Sequence, residues 1–261
     1  MLNSDVEVTP DWLSPIIELM EEDATIAACQ PKILAYHQKN KFEHAGAAGG
    51  YMDTLGYPLC RGRILEYCEE DKGQYDTTEE IFWASGAALV IRGDLYHAIG
   101  GLDGDYFAHM EEIDLCWRLK KAGYKIVIQP KSVVYHVGGG TLAYQSPRKT
   151  FLNFRNSLAT LLKNERVGKL CWLIPTRLVL DGIAGMMFLS KGQFKNIIQI
   201  IKAHFSFYGR IPSLLKKRRR NKELIEKIKI APTNKIGRLG SSMIWKYYLE
   251  GKKTFESYGE V

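Results

Sequence analysis

The feature that most constrains this chain is a change of pattern near residue 150. Up to there, short apolar runs alternate with helical stretches and glycine turns. Past it the strand signal fades and helical periodicity remains. Charge changes at the same place. Residues 1–150 carry 14 Lys+Arg and 22 Asp+Glu, a net of −8, while residues 151–261 carry 22 and 7, a net of +15. Such a split predicts two regions, 1–150 and 151–261, with different jobs. An acidic α/β half suits metal or polar-substrate chemistry. A basic helical half suits an anionic surface, either membrane or nucleic acid. With 46% hydrophobic and 25% charged residues, disorder and collagen-like repeats are excluded as the main character of the chain. The five cysteines form no CxxC pair, which points to reduced thiols and a cytosolic compartment. Met1-Leu2-Asn3-Ser4-Asp5 lacks the basic-then-apolar order of a secretory signal.

Local signals place the elements. Leu2 to Asp5 reads as a strand end and its turn. Thr9-Pro10 reads as a helix start, an N-cap hydroxyl with proline at the first helical position, continuing through Trp12, Ile16, Ile17 and Met20. Ile26 to Cys29 is a short strand. Glu111 to Ala122 reads as a helix stopped by Gly123. Tyr124 to Gln129 and Val133 to Val137 read as two strands separated by Pro130. The tail beyond Arg220 has mixed character and no assignable element.

Four constellations carry chemistry. Asn3-Ser4-Asp5 leaves a strand end, where a carboxylate can reach a hard divalent ion; the competing reading is an ordinary Asx turn. Glu111, Glu112 and Asp114 crowd the first turn of a helix. That position favours negative charge, but crowding raises at least one pKa, as suits a general base. The rival for Asp114 is an i,i+4 pair with Arg118. His136 precedes Gly138-Gly139-Gly140, a ring able to bind metal followed by backbone able to approach a phosphate. Trp83, Ser85 and Gly86 interrupt an apolar segment with small residues, which marks either close packing or approach of a ligand.

Taken together and in this order, these segments resemble a family 2 glycosyltransferase of the GT-A fold, closest to its rhamnosyltransferase-type branch. The matching stretches are Leu2 to Leu13, Ser85-Gly86-Ala87, Gly100-Gly101-Leu102-Asp103, Glu111 to Arg118 and His136 to Thr141. The resemblance implies an α/β chain: the C-terminal part of a GT-A mixed-sheet domain over 1–150, then a helical membrane-associated region over 151–261. It implies inverting transfer from a nucleotide-diphosphate sugar to a saccharide or lipid-linked acceptor in cell-surface polysaccharide synthesis. Asp5 and His136 then hold Mg²⁺ or Mn²⁺. Asn3, Asp5, Gly138 and Gly139 lie against the donor. Glu112 is the base, with Glu111 and Asp114 beside it, and Trp83, Ser85 and Gly86 line the acceptor side. The family places a nucleotide-binding half ahead of the Asn-Ser-Asp segment. This chain opens inside that motif, so the expectation is a fragment, a misplaced start or a degraded relative, not fully competent alone. Glycoside hydrolysis also uses two carboxylates but needs neither the metal-ligand histidine nor the glycine loop.

The second region suggests a membrane. Leu170 to Ser190 offers 21 positions with only Arg177 and Asp181 charged, enough for a span of about 20 apolar residues. Those charges cost roughly 2.5–3.5 kcal/mol each near a bilayer centre. Their i,i+4 spacing would allow them to pair, which would lower that cost. Phe194, Ile197, Ile198, Ile201, Phe205 and Tyr208 fall on one helical face, followed by the basic run Lys216 to Arg220. The pattern predicts a peripheral protein on the cytoplasmic face of the membrane, held by in-plane helices at an anionic surface. The rival is a non-catalytic membrane-surface or nucleic-acid-binding protein. The bare charge run, without interleaved aromatics, argues against nucleic acid.

Overall fold

The computed structural model describes residues 1–138 and 146–259. In chain order the first region holds β1 (Val6–Val8), α1 (Ser14–Glu22), β2 (Ile26–Ala35), β3 (Gln38–Phe42), β4 (Gly50–Met52), β5 (Pro58–Cys60), β6 (Arg63–Ile64) and β7 (Tyr67–Cys68). Then come β8 (Glu79–Ile81), β9 (Val90–Ile91), α2 (Gly93–Ala98), α3 (Glu111–Lys121) and β10 (Lys125–His136). The second region is α4 (Pro147–Asn164), α5 (Val167–Ser190), α6 (Phe194–Ile228) and α7 (Met243–Tyr248).

Two long parallel strands, β2 and β10, form the middle of the main sheet. Short antiparallel strands flank them in tandem: β1 and β8 along β10, β9 and β3 along β2. Residues 26–34 of β2 are all buried, as a strand covered on both faces must be. A smaller antiparallel sheet, β4-β5-β6-β7, packs beside it.

The structure redraws some of the expected boundaries. The first helix begins at Ser14 with Pro15 in its first turn, not at Pro10. The Thr9 hydroxyl instead donates to the Val133 carbonyl (2.8 Å), so it ties β1 to β10 rather than capping a helix. Pro130 does not divide two strands. β10 runs through it with a register shift between Gln129 and Val133, because a proline removes one ladder donor without ending the strand. Gly123 does end α3. Its φ is +94°, and a Cβ there would lie 2.7 Å from Ala231.

The core ignores residue 150. Leu161, Leu173, Ile225, Leu239, Met243, Phe255 and Tyr258 join the same buried cluster as Tyr51, Phe82 and Trp117. The tail that showed no sequence signal is part of that wall. Met52 N–H donates to Gly237 O (3.0 Å) and Leu239 N–H to Met52 O (2.8 Å). Gly237 sits at φ +82° with Phe82 N only 2.4 Å from where its Cβ would be, so no larger residue fits.

Candidate active site

Strand register builds the first cluster. Val6 pairs with His136, which sets Asp5 beside that histidine, and Val137 N–H donates to Asp5 O (3.0 Å). His136 Nε2 lies 3.3 Å from Asp5 Oδ1, and its Nδ1 lies 3.3 Å from Glu43 Oε2. Both ring nitrogens are buried and neither contact is aligned as a hydrogen bond. Burial lowers the imidazole's proton affinity, but the Glu43 and Asp5 carboxylates outweigh it and raise the pKa. Gly138 turns at φ +70° against the Glu43 carboxylate. Gly139, with Gly140 and Thr141, lies outside the described residues. Asn3 is exposed and donates its backbone N–H to Ala87 O (2.9 Å).

This cluster fits a divalent ion. Imidazole and carboxylate are suitable donors, and the His136 nitrogens lack any other aligned partner. Among the described residues no three His, Cys, Asp or Glu side chains form a ready metal cage.

The second cluster surrounds a cavity of about 310 Å³. Glu112 lines it together with Trp83 and Ser85. A Cβ on Gly86 would lie 3.8 Å from Glu112 Cβ, so all three small-segment residues gather at the start of α3. Trp83 is held by its indole N–H to Tyr51 O (2.8 Å), and Ser85 Oγ donates to Ala45 O (2.7 Å). Glu112 Oε2 and Glu111 Oε2 are buried without hydrogen-bond partners. Burial, reinforced by the neighbouring Glu111 charge, pushes Glu112 up to about 8. Glu111 is raised as well, chiefly by burial.

Asp114 lies apart from this cavity. It is fully buried and receives Arg118 Nε (3.0 Å) and Asn164 Nδ2 (2.6 Å), with Lys163 Nζ 3.0 Å away. Burial alone would raise its pKa, but Arg118 and Lys163 outweigh it and lower it. The structure thus places Asp114 in a scaffold network.

The loop entering α3 is strained. Phe107, His109 and Met110 have φ of +67°, +67° and +76°. Asn156 of α4, itself buried, holds this loop by donating to the carbonyls of Tyr106, Ala108 and His109 (3.1, 2.8 and 2.9 Å). Nothing in the sequence marks Asn156 or Glu43, since their partners lie 47–50 and 93 positions away.

The roof of the cavity comes from the second region. Lys149 and Ser157 of α4 and Arg177 and Asp181 of α5 line it. Arg177 and Asp181, whose spacing would allow a pair, have other partners. Arg177 donates to Leu55 O (3.1 Å), Gly56 O (3.3 Å) and Ser157 Oγ (2.7 Å) and lies over the Tyr57 ring. Asp181 Oδ2 is 2.9 Å from His204 Nε2. Two charges in an apolar helix were the visible signal for a buried polar site, read instead as an obstacle to spanning.

No family model matches the chain. It is 43% identical over 54 residues to the N-acetylglucosaminyl-diphospho-decaprenol L-rhamnosyltransferase of Mycobacterium tuberculosis, covering 21% of this chain and 18% of that protein. It is 26% identical over 154 residues to the pre-mycofactocin glycosyltransferase of the same organism, covering 58% of this chain and 29% of that one. The chain therefore spans less than a third of the length of these curated relatives. A crystal structure of GalNAc-T7 with UDP, GalNAc and Mn²⁺ matches 61% of this chain and 30% of its own, at 14% identity and a TM-score of 0.41. By sequence, then, the chain is similar to glycosyltransferases, transferases acting on sugars.

Proposed function

We propose that this chain carries the acceptor and metal side of an inverting GT-A glycosyltransferase. It moves a sugar from a nucleotide-diphosphate sugar to a saccharide or lipid-linked acceptor, in cell-surface polysaccharide synthesis. The observation that carries the reading is the Glu112 carboxyl, its Oε2 buried without a partner on a cavity of about 310 Å³, in a chain similar to glycosyltransferases. Those relatives leave the non-catalytic alternative without support.

Glu112 takes the proton of the acceptor hydroxyl as that oxygen attacks the anomeric carbon. A carboxyl raised to about 8 is poised near working pH for that transfer. Trp83 and Ser85 form the wall against which the acceptor rests. Asp5 and His136 would hold Mg²⁺ or Mn²⁺, which would offset charge on the departing diphosphate. In a nucleotide-sugar turnover assay of this chain joined to the nucleotide-binding half that the resemblance implies, Glu112→Gln is expected to lower the rate at least about a hundredfold with donor affinity nearly unchanged. If Glu111→Gln does this and Glu112→Gln does not, the base is Glu111. Full activity in excess chelator removes the metal from the scheme.

We further propose that the protein sits peripherally on the cytoplasmic face of the membrane. Among the described residues α5 is the one helix long and apolar enough to cross a bilayer, but its Arg177 and Asp181 belong to the cavity roof. The buried side of α6 is Ile200, Ala203 and Phe207, so the apolar face with Phe194, Ile198, Ile201 and Phe205 is exposed. Phe205 is 72% exposed. That is the surface of a helix lying in an interface. Flotation with anionic vesicles, released by alkaline carbonate, is the expected result; resistance to carbonate means a span, and no flotation means a soluble subdomain.

A further inference from the structure

The two ends of α3 face different cavities. Its first turn opens on the Glu112 cavity. About 16 Å away along an 11-residue helix, its last turn opens on a cleft of about 410 Å³ against α6 and the end of α4. Six cationic side chains line that cleft: Lys121, Lys163, Arg218, Arg219, Lys222 and Lys229. Glu226 is the single carboxylate in the lining, and it faces Lys229 at 3.4 Å. Glu165, nearby, is held by Arg238 (2.6 Å) and Lys169 (3.3 Å).

Some of these cations belong to the fold. Lys163 is bound to Asp103 (2.7 Å) and Asp114 (3.0 Å), and Arg218 donates to Leu162 O (2.6 Å). Lys217, on the same basic run, is bound to Asp103 and Asp105. Lys121 is different. It is half-buried and, among the described residues, has no ion-pair or hydrogen-bond partner. Burial, then the neighbouring Arg218, pulls it down to about 8. Asn221 adds a second unsatisfied group, since its Nδ2 is buried without an acceptor. The carbonyl end of α3 repels anions, so any attraction must come from these side chains. Their excess of positive charge over the lone carboxylate is large enough to do so.

We propose that this cleft binds a phosphate-bearing anion, separately from the Glu112 cavity, with Lys121, Arg219 and Asn221 as its contacts. A phosphate offers acceptor oxygens to the unpartnered ammonium and amide, and Arg219 grips it through a planar fork. The same chemistry is presented by a soluble diphosphate and by an anionic phospholipid head group.

The full chain in excess chelator is titrated calorimetrically with inorganic diphosphate, and separately floated with phosphatidylcholine vesicles with and without phosphatidylglycerol. The variants are Lys121→Gln with Arg219→Gln, both at half-buried or exposed positions, and Lys195→Gln as an off-cleft control. Diphosphate binding at least about tenfold weaker in the double variant, but unchanged in Lys195→Gln, identifies a site for soluble phosphate. Flotation that needs phosphatidylglycerol and falls in the double variant, without diphosphate binding, identifies a lipid head-group site. Acetylation of Lys121, read by mass spectrometry, should slow in the presence of whichever anion binds. The proposal is overturned if neither anion binds, if the double variant binds both like the parent, or if Lys121 acetylates at one rate throughout.

Discussion

Glu112 and Asp114 stand two residues apart on one helix and have opposite chemistry. The Glu112 carboxyl faces open space, lacks a partner at Oε2 and holds its proton up to about 8. Asp114 is enclosed by Arg118, Lys163 and Asn164 and gives its proton up readily. A helix advances about 100° per residue, so two positions turn a side chain from the cavity into the scaffold. Composition around the two residues is the same; what differs is what α4 supplies. It brings Lys163 and Asn164 to one carboxylate and leaves the other alone. A buried carboxylate with charged partners belongs to the scaffold, and a buried carboxyl without them is available for chemistry.

The sharpest way to break that contrast is Asp114→Asn. It leaves Arg118 and Lys163 short of a buried carboxylate and should cost about 3 kcal/mol or more in denaturant-induced unfolding. If it costs no more than Glu112→Gln, the scaffold role fails. A smaller effect is expected at Asn156→Ala, which removes the donor from three carbonyls of the strained loop. About 1–3 kcal/mol of local stability should go, read as faster amide exchange over residues 106–110 than elsewhere in the chain. The pH-dependent effect has the opposite sign. Between pH 4.5 and about 8 folded Glu112 keeps a proton that an unfolded glutamate has lost, so its contribution to stability is full at low pH and drains as pH rises. Glu112→Gln should therefore be more stable than the parent above about pH 8, with the gap closing towards about pH 5. A gap independent of pH would mean that Glu112 is not buried as a strained acid.

Much of the site was legible because its residues lie in short runs. Glu111-Glu112 at a helix start, Trp83 to Gly86 in an apolar stretch, and Asp5 and His136 at strand ends all announce themselves locally. The β1–β10 register then does the joining. What was hidden depends on distance in the chain. Glu43 reaches His136 from 93 positions away, and Asn156 grips a loop some 50 positions before it. The Thr9-Pro10 signal misled because the backbone turns to φ +54° at Asp11, so no helix continues from Pro10 and α1 starts at Ser14. Arg177 and Asp181 have helical spacing but opposite neighbours, and spacing alone carries no information about what packs around a helix.

The return of the tail has a consequence for how the chain is made. A ribosome delivers residues in order, yet the buried Asp53 accepts the backbone N–H of Met243, 190 positions later. Tyr51 waits as long for the Phe255 ring, 4.6 Å from its own. Until that last stretch emerges, the small sheet has an open side and a carboxylate facing a void. Closing contacts over such separations is slow, since the loop entropy comes before the gain. The first region, self-contained as it looks in sequence, therefore finishes folding only after residues up to Tyr258 have been made. Cutting the chain after α6 would take out a wall, and the nascent protein would be left to proteases and chaperones.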